Sequence, residues 1–528
     1  MRKILRFSLA VALSGLCFGS AARADVKLPS VFSNHMVLQR GLPVPVWGWA
    51  EPGEEVTVKF AEQSKSAKAD ENGKWDVKLD ALDASSTGRT MAVTGKNNIS
   101  LQNVLVGDVW ICSGQSNMEW STNATMNAQQ EMEGAKFPAI RLFNVPGHIT
   151  SPLPQENCPG NWQECTPQTV AGFSAVGYFF GRHLHQQTNT PIGLIGTNWG
   201  GTRIEPWTPP VGFRSVPQLK PLADQVDRFD PTTDAGKLTW ENYLKSVENW
   251  TADARKALKA GQTPTTVPAT PGYNDGGQPT AIYNAMVAPL APYGVRGAIW
   301  YQGESNGSEG ESYYHKMQAL INGWRSVWNR DDNFPFYFYH VQLANWQQPT
   351  DNPAGGDGWA QVRDAQRKSL TIPHTGMAVT IDIGEAGDIH PRNKQDVGLR
   401  LAYWALRDVY QDREVVVSGP LYREMKIEGN KVRISFDHAA GDLMVGKKQG
   451  LAPMQKDPSG KLARFAIAGK DKQWHWAEAT VEGSTVVVSS EKVPEPLAVR
   501  YAWSMNPQGA NLYNAAGLPA APFRTDDW

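Results

Sequence analysis

Cysteine is scarce, with four in 528 residues: Cys17, Cys112, Cys158 and Cys165. So few, so scattered, exclude a cysteine-built zinc site and a disulfide-built scaffold. Only Cys158 and Cys165, in a loop rich in Pro, Gly and Asn over 152–167, stand near enough to pair in an oxidising compartment. Cys112 ends an apolar run and reads as a small buried residue. Net charge is also nearly absent, at −1 from 51 basic and 52 acidic residues. With no basic surplus the chain is a poor nucleic-acid binder. A long apolar run is missing too. The N-terminal run at 9–18 is broken by Ser14 and Gly15 and is too short to span a bilayer. Arg2, Lys3 and Arg6 precede it, and Ala22-Arg23-Ala24 follows it as a small-x-small site. Residues 1–24 therefore read as a cleavable signal peptide, and the protein as secreted or periplasmic with no membrane partner. Loss of Arg2, Lys3, Arg6 and Arg23 would leave 47 basic against 52 acidic residues, a charge of −5.

Tryptophan is plentiful, at 20 residues. Its rings serve cores, and their apolar faces also serve sugar-binding sites. The count is compatible with both.

Three regions follow the leader. Residues 25–103 are β-like. Val44-Pro-Val-Trp-Gly-Trp is rich in strand formers, and Val56-Thr-Val-Lys-Phe and Trp75-Asp-Val-Lys-Leu alternate. Pro52-Gly53 and Asn72-Gly73 mark turns between them. This predicts a small N-terminal β-sandwich-like lobe. Over 104–412 apolar strands alternate with amphipathic helices. Strands are expected at 104–112, 140–145, 192–197, 296–302, 336–341 and 377–381. Helices are expected at 174–187, 312–328, 359–370 and 393–410. Such alternation predicts an α/β domain with a mostly parallel sheet. An insertion at 206–278, partly helical over 238–258, interrupts the rhythm beside the site. Residues 413–528 are β-like again and predict a C-terminal β lobe.

Four polar, glycine-marked loops follow four of the expected strands, where ligands of parallel sheets bind. The first carries Ser-Gly-Gln-Ser116-Asn-Met. A serine on such a turn is exposed, its neighbouring amides can face an anion, and it needs a base to become nucleophilic. The second, Asn-Trp199-Gly200-Gly201-Thr, offers backbone donors. The third, Trp-Tyr-Gln302-Gly-Glu304-Ser-Asn, offers an amide donor and a carboxylate that is either an acid–base group or a structural partner. The fourth, Asp382-Ile-Gly-Glu385-Ala-Gly-Asp388-Ile-His390-Pro, holds a histidine with carboxylates nearby. A base histidine needs such a group to fix its tautomer, and Asp388 is nearest, followed by Glu385 and Asp382. A serine, donors and an acid–histidine loop make the parts list of acyl transfer. Trp120, Trp199 and Trp207 flank these motifs and read either as sugar platforms or as core.

From Val104 to Ala402 the chain resembles the SGNH hydrolase superfamily, and within it the sialate O-acetylesterase-like carbohydrate esterases. Gly-Gln-Ser116-Asn-Met looks like block I, Trp-Gly-Gly-Thr like block II, Trp-Tyr-Gln-Gly-Glu-Ser-Asn like block III and Asp-Ile-His390-Pro, with Asn-Lys-Gln after it, like block V. Met36-Val-Leu-Gln-Arg and Asn511-Leu-Tyr-Asn-Ala-Ala-Gly-Leu-Pro are similar to flanking segments of these esterases. The resemblance implies a three-layer α/β/α SGNH-type domain, a serine esterase without metal or cofactor, and a substrate that is O-acetylated sialic acid or acetylated hemicellulose such as xyloglucan or xylan. It implies Ser116 as nucleophile and His390 as base. The oxyanion donors would be the Ser116 amide, the Gly200 or Gly201 amide, and Gln302, where the broader superfamily has Asn. The usual acid lies three residues before the histidine; Gly387 stands there, leaving Asp388, Glu385, Asp382 or no acid at all. Glu304, Trp199 and Trp120 are the expected substrate contacts. Two rivals remain: a non-catalytic carbohydrate-binding protein, and a glycoside hydrolase, which would need two placed carboxylates.

Overall fold

One strand organises the molecule. Asn98–Gly114 runs for 17 residues. Its first half, Asn-Ile-Ser-Leu-Gln, has exposed positions, and from Val104 onward every residue is buried. The change follows the sequence. An alternating segment suits a sheet with one wet face, and a continuous apolar run suits a strand covered on both faces. The computed structural model describes residues 25–272, 276–329, 333–458 and 460–528. The expected leader, residues 1–24, lies outside the described residues.

The buried half of that strand is central in a parallel sheet. Ile192–Asn198 pairs with it on one side and Gly297–Tyr301 on the other. Beyond Ile192–Asn198 lies Phe137–Asn144, and beyond Gly297–Tyr301 lie Tyr337–Val341 and then Thr375–Ala378, all parallel. Trp162–Cys165 closes one edge antiparallel. Successive residues face opposite layers. Trp110 and Cys112 pack with the helices Ala175–Thr188 and Lys394–Asp408. Val109 and Ile111 face the core that includes residues of Ser312–Val327 and Gly358–Lys368. This is the expected three-layer α/β architecture.

The N-terminal lobe grows from the same strand. Ser85–Thr94 pairs with its first half, Glu55–Phe60 with Ser85–Thr94, and Gln63–Lys68 with Glu55–Phe60. Val44–Trp49 and Lys74–Leu79 form a separate antiparallel pair. The expected boundary at 103 falls inside a continuous strand, so lobe and body share a sheet as well as a core.

Two other expectations are revised. Cys158 and Cys165 are free and buried. Cys158 belongs to the core on one side and Cys165 to the core on the other, so no disulfide joins them. In the insertion the long helix is Asp234–Lys259, starting four residues earlier than its apolar pattern, because the Thr233 hydroxyl caps the Gly236 amide.

The C-terminal lobe places Lys431–Asp437 and Thr485–Ser489 against Phe465–Ala468 and Ala498–Tyr501, with Val432, Ile434, Ile467, Val499 and Phe523 in its core. It is fastened through buried Arg363, which donates to the carbonyls of Leu343, Ala344, Ser504 and Met505. Among the described residues no helix is long and apolar enough to cross a membrane.

Candidate active site

The sheet reverses direction of growth at Asn98–Gly114, and at such a switch point the strand-end loops on either side part to leave a crevice. Gly114 has φ 140°, and a Cβ there would stand 2.2 Å from the Tyr301 carbonyl oxygen, so only glycine fits. The three loops are laced together: the Gln115 amide donates to Tyr301 O (2.9 Å) and the Trp199 amide to Gly114 O (3.0 Å). The Gln115 side-chain oxygen accepts from the Gly303 and Ser305 amides, both at 3.3 Å. Ser116 then opens the short helix Ser116–Glu119. Its amide and that of Asn117 are first-turn donors with no intrahelical acceptor.

His390 Nε2 lies 2.9 Å from Ser116 Oγ. Its Nδ1 faces Asp388 Oδ1 at 3.3 Å, and its backbone amide donates to the same oxygen at 2.8 Å. The rival carboxylates are spent elsewhere. Asp382 holds Arg400 at 2.7 and 2.8 Å, and Glu385 accepts the Arg392 amide. The imidazole stacks on Trp120, with ring centroids 5.0 Å apart and planes 17° from parallel. The Trp120 indole N–H is taken by the Ala124 carbonyl. Trp120 thus packs against the histidine; as a sugar platform it has that face occupied. Burial lowers the His390 pKa, the nearby Lys394 ammonium lowers it further, and Asp388 opposes both.

Behind the serine lies a largely buried polar group. Asn117 donates to the Glu304 carboxylate (2.6 Å) and to the Ile389 carbonyl (3.0 Å), and accepts from Lys394 Nζ. It therefore ties the serine turn to the residue preceding His390. Burial raises the Glu304 pKa and pushes Lys394 down to about 7, both toward neutrality. Lys394 also sits 5.3 Å from the Tyr301 ring centroid and 5.7 Å from that of Trp120. The expectation that Glu304 touches substrate is corrected: one carboxylate oxygen serves Asn117 and the other is enclosed.

On the opposite flank the Gly200 amide donates to Glu119 Oε2 at 2.6 Å, and Glu119 Oε1 meets His148 Nε2 at 2.5 Å. A Cβ on Gly200 would be 3.0 Å from Glu119 Oε2 and 3.2 Å from Ser116 Cβ, which puts this carboxylate beside the serine. His148 stacks on Trp199, centroids 4.9 Å apart and planes 4° from parallel. Gly201, at φ 75°, is exposed with open space around it. Gln302 is not where the oxyanion reading places it. It is fully buried, and its amide donates to Thr202 O (3.2 Å) and Asn306 Oδ1 (2.8 Å) while its oxygen accepts from Tyr313. Both hydrogens are spent, so it braces the loop. Trp207 is fully buried against Trp300 and is core.

Asn117, Glu119, His148 and Lys394 belong to this cluster without having been given a role from sequence. Glu119 carried a local signal: it follows Ser116 by three residues within the helix Ser116–Glu119, a spacing that returns a side chain to the same side of a helical turn. His148 comes from a distant loop and carried none.

The chain as a whole is similar to known proteins. Residues 106–269 and 272–406 match the model of the family described as carbohydrate esterase, sialic acid-specific acetylesterase. Sialate O-acetylesterase of Mus musculus is 28% identical over 547 residues, covering 95% of this chain and 95% of its own; that of Homo sapiens is 28% identical over 555 residues, covering 95% and 93%. The crystal structure of a carbohydrate acetylesterase from Xanthomonas citri superposes with a TM-score of 0.77 at 34% identity, over 95% of this chain and 100% of that one. Fold and relatives together define a carboxylic ester hydrolase. More narrowly, the chain belongs to the carbohydrate esterase, sialic acid-specific acetylesterase family.

Proposed function

We propose that this carbohydrate acetylesterase is exported and works through an acetyl-serine intermediate, with Ser116 as nucleophile, His390 as general base and acid, and Asp388 as the group that orients His390. The observation that carries the reading is the 2.9 Å contact between Ser116 Oγ and His390 Nε2. A serine hydroxyl is a weak nucleophile until a neighbouring base removes its proton. Neutral His390 takes that proton on Nε2 as Oγ bonds to the acetyl carbon, and the carbonyl oxygen becomes an oxyanion. The Ser116 and Gly200 amides receive it, the second once Glu119 has swung away. Each such donor is worth roughly 2.7–4 kcal/mol of barrier. The C–O bond to the sugar then breaks, and the sugar oxygen leaves with the proton from His390. Water repeats the sequence on the acetyl-enzyme and releases acetate and free serine.

Asp388 supports the imidazolium that forms at each step, at an ion-pair distance of 3.3 Å from Nδ1. A glycosidase reading fares worse, since Glu304 lies buried against Asn117. The substrate is an O-acetylated sugar, either sialic acid or a hemicellulose such as xyloglucan or xylan. Acetate release from acetylated xyloglucan and from O-acetyl sialic acid, by the wild-type chain and by Ser116→Ala, tests the proposal. Release by wild type alone is expected, and its substrate preference assigns the sugar. Full activity in Ser116→Ala sinks the mechanism.

A further inference from the structure

The N-terminal lobe carries a groove of about 640 Å³ that includes none of the residues around Ser116. Its floor is the strand pair Val44–Trp49 and Lys74–Leu79. In a strand, residues two apart share a face and stand about 6.8 Å apart. Trp47 and Trp49 therefore point the same way. The register sets Asp76 opposite Trp47 and Lys74 opposite Trp49. Both tryptophans are half-buried, while Lys74 and Asp76 are exposed. Glu156, from across the groove, accepts the Trp49 indole N–H at 3.2 Å and pairs with Lys74. Pro289 and Pro292 wall the far side.

The combination is two fixed aromatic surfaces flanked by charged groups that can donate to and accept from hydroxyls. Aromatic rings offer an apolar face with a polar edge, and a pyranose presents the matching pattern of C–H face and hydroxyl rim. We propose that this groove is a second carbohydrate site, which takes a segment of neutral glycan chain. Charge decides against an acidic sugar. The ionisable groups lining the groove are Lys68 and Lys74 against Asp70, Asp76 and Glu156, and Glu156 already satisfies Lys74. Two lysines against three carboxylates leave the lining net acidic, which disfavours a sugar carboxylate.

Such a site acts by raising the effective concentration of polymer at the enzyme, a gain that small esters do not share. The proposal stands apart from the serine chemistry and deepens the substrate assignment toward polysaccharide.

The test uses the full chain carrying Ser116→Ala, titrated calorimetrically with a deacetylated xyloglucan oligosaccharide and, separately, with free sialic acid. The oligosaccharide is expected to bind, with affinity at least tenfold weaker after Trp49→Ala and also weakened by the exposed change Asp76→Ala. With Ser116 intact, both variants should hydrolyse p-nitrophenyl acetate at the wild-type rate and acetylated polymer more slowly. No oligosaccharide binding, equal binding by the parent and both variants, or preferential binding of sialic acid overturns the proposal. None of these outcomes bears on whether Ser116 is the nucleophile.

Discussion

Two imidazole–carboxylate pairs flank Ser116. His390 with Asp388 and His148 with Glu119 have the same chemical parts, and each histidine stacks on a tryptophan. They differ in where the ring nitrogens go. His390 gives Nε2 to the serine and keeps the carboxylate on Nδ1, so one nitrogen accepts a proton while the other is held. His148 gives Nε2 to Glu119, whose second oxygen holds the Gly200 amide. On the proposed mechanism the first pair moves a proton. The second occupies the Gly200 amide in the resting site, and on the proposed mechanism it releases that donor to the oxyanion. Residue type and proximity do not separate these roles; direction does.

The largest break in this comparison is His390→Ala. In serine hydrolases, losing the base costs about as much as losing the nucleophile, roughly 10⁶-fold in kcat. A drop of that order in acetate release is expected, with thermal stability close to wild type because His390 is only half-buried. Combining it with Ser116→Ala should add little more, since the two act as a unit. Retention of more than a tenth of wild-type kcat would show that some other group serves Ser116.

Next comes the acid. Asp388→Asn should lower kcat by roughly 10²-fold or more; a well-buried orienting aspartate is worth about 10⁴, and Asp388 is 46% exposed. Glu385→Gln, whose carboxylate holds the Arg392 amide, should cost less than Asp388→Asn in the same assay. The reverse order would move the acid role to Glu385.

A subtler contrast lies in pH. On the proposed mechanism His390 must be neutral to accept the serine proton, and its pKa is held below the ordinary histidine value by burial and by Lys394. A depressed pKa keeps the base neutral to lower pH, so the acid limb of kcat/KM should fall below about 6.5. Lys394→Met removes one of the depressing charges and should move that limb upward, alongside a loss in kcat from the released Asn117. A limb that stays fixed would show that Lys394 serves only to hold Asn117.

The sheet was readable because parallel strands covered on both faces appear as unbroken apolar runs. That is why 104–112 and 192–197 reappear inside Asn98–Gly114 and Ile192–Asn198. Ser116 and His390 stood out because glycine-marked polar loops after such runs are few. The rest needed three dimensions. Gln302 and Glu304 sit on the right loop, but the amide is bonded to Asn306 and the carboxylate to Asn117, within the protein. Lys394 is buried although lysines almost never are, and Asn117 and Glu304 are what make its burial tolerable. The partnership of Glu119 with His148 spans 29 residues and two loops, and neither loop advertises it.

The smallest expected effect tests the second pair. His148 has a side chain 45% exposed, paired with a Glu119 that is 35% exposed, and such pairs contribute about 0–1 kcal/mol. His148→Ala should therefore leave stability nearly unchanged and alter kcat on a small acetyl ester by less than about fivefold on that energy scale. Its trace should appear in KM for a sugar ester, because Trp199 loses the ring that stacks on it and the wall beside Gly200 loosens. Steady-state kinetics on p-nitrophenyl acetate and on an acetylated sugar separate the two parameters. A collapse of kcat on the small ester would mean that Glu119 and His148 do more than hold the Gly200 amide, and that Ser116 draws on both histidines.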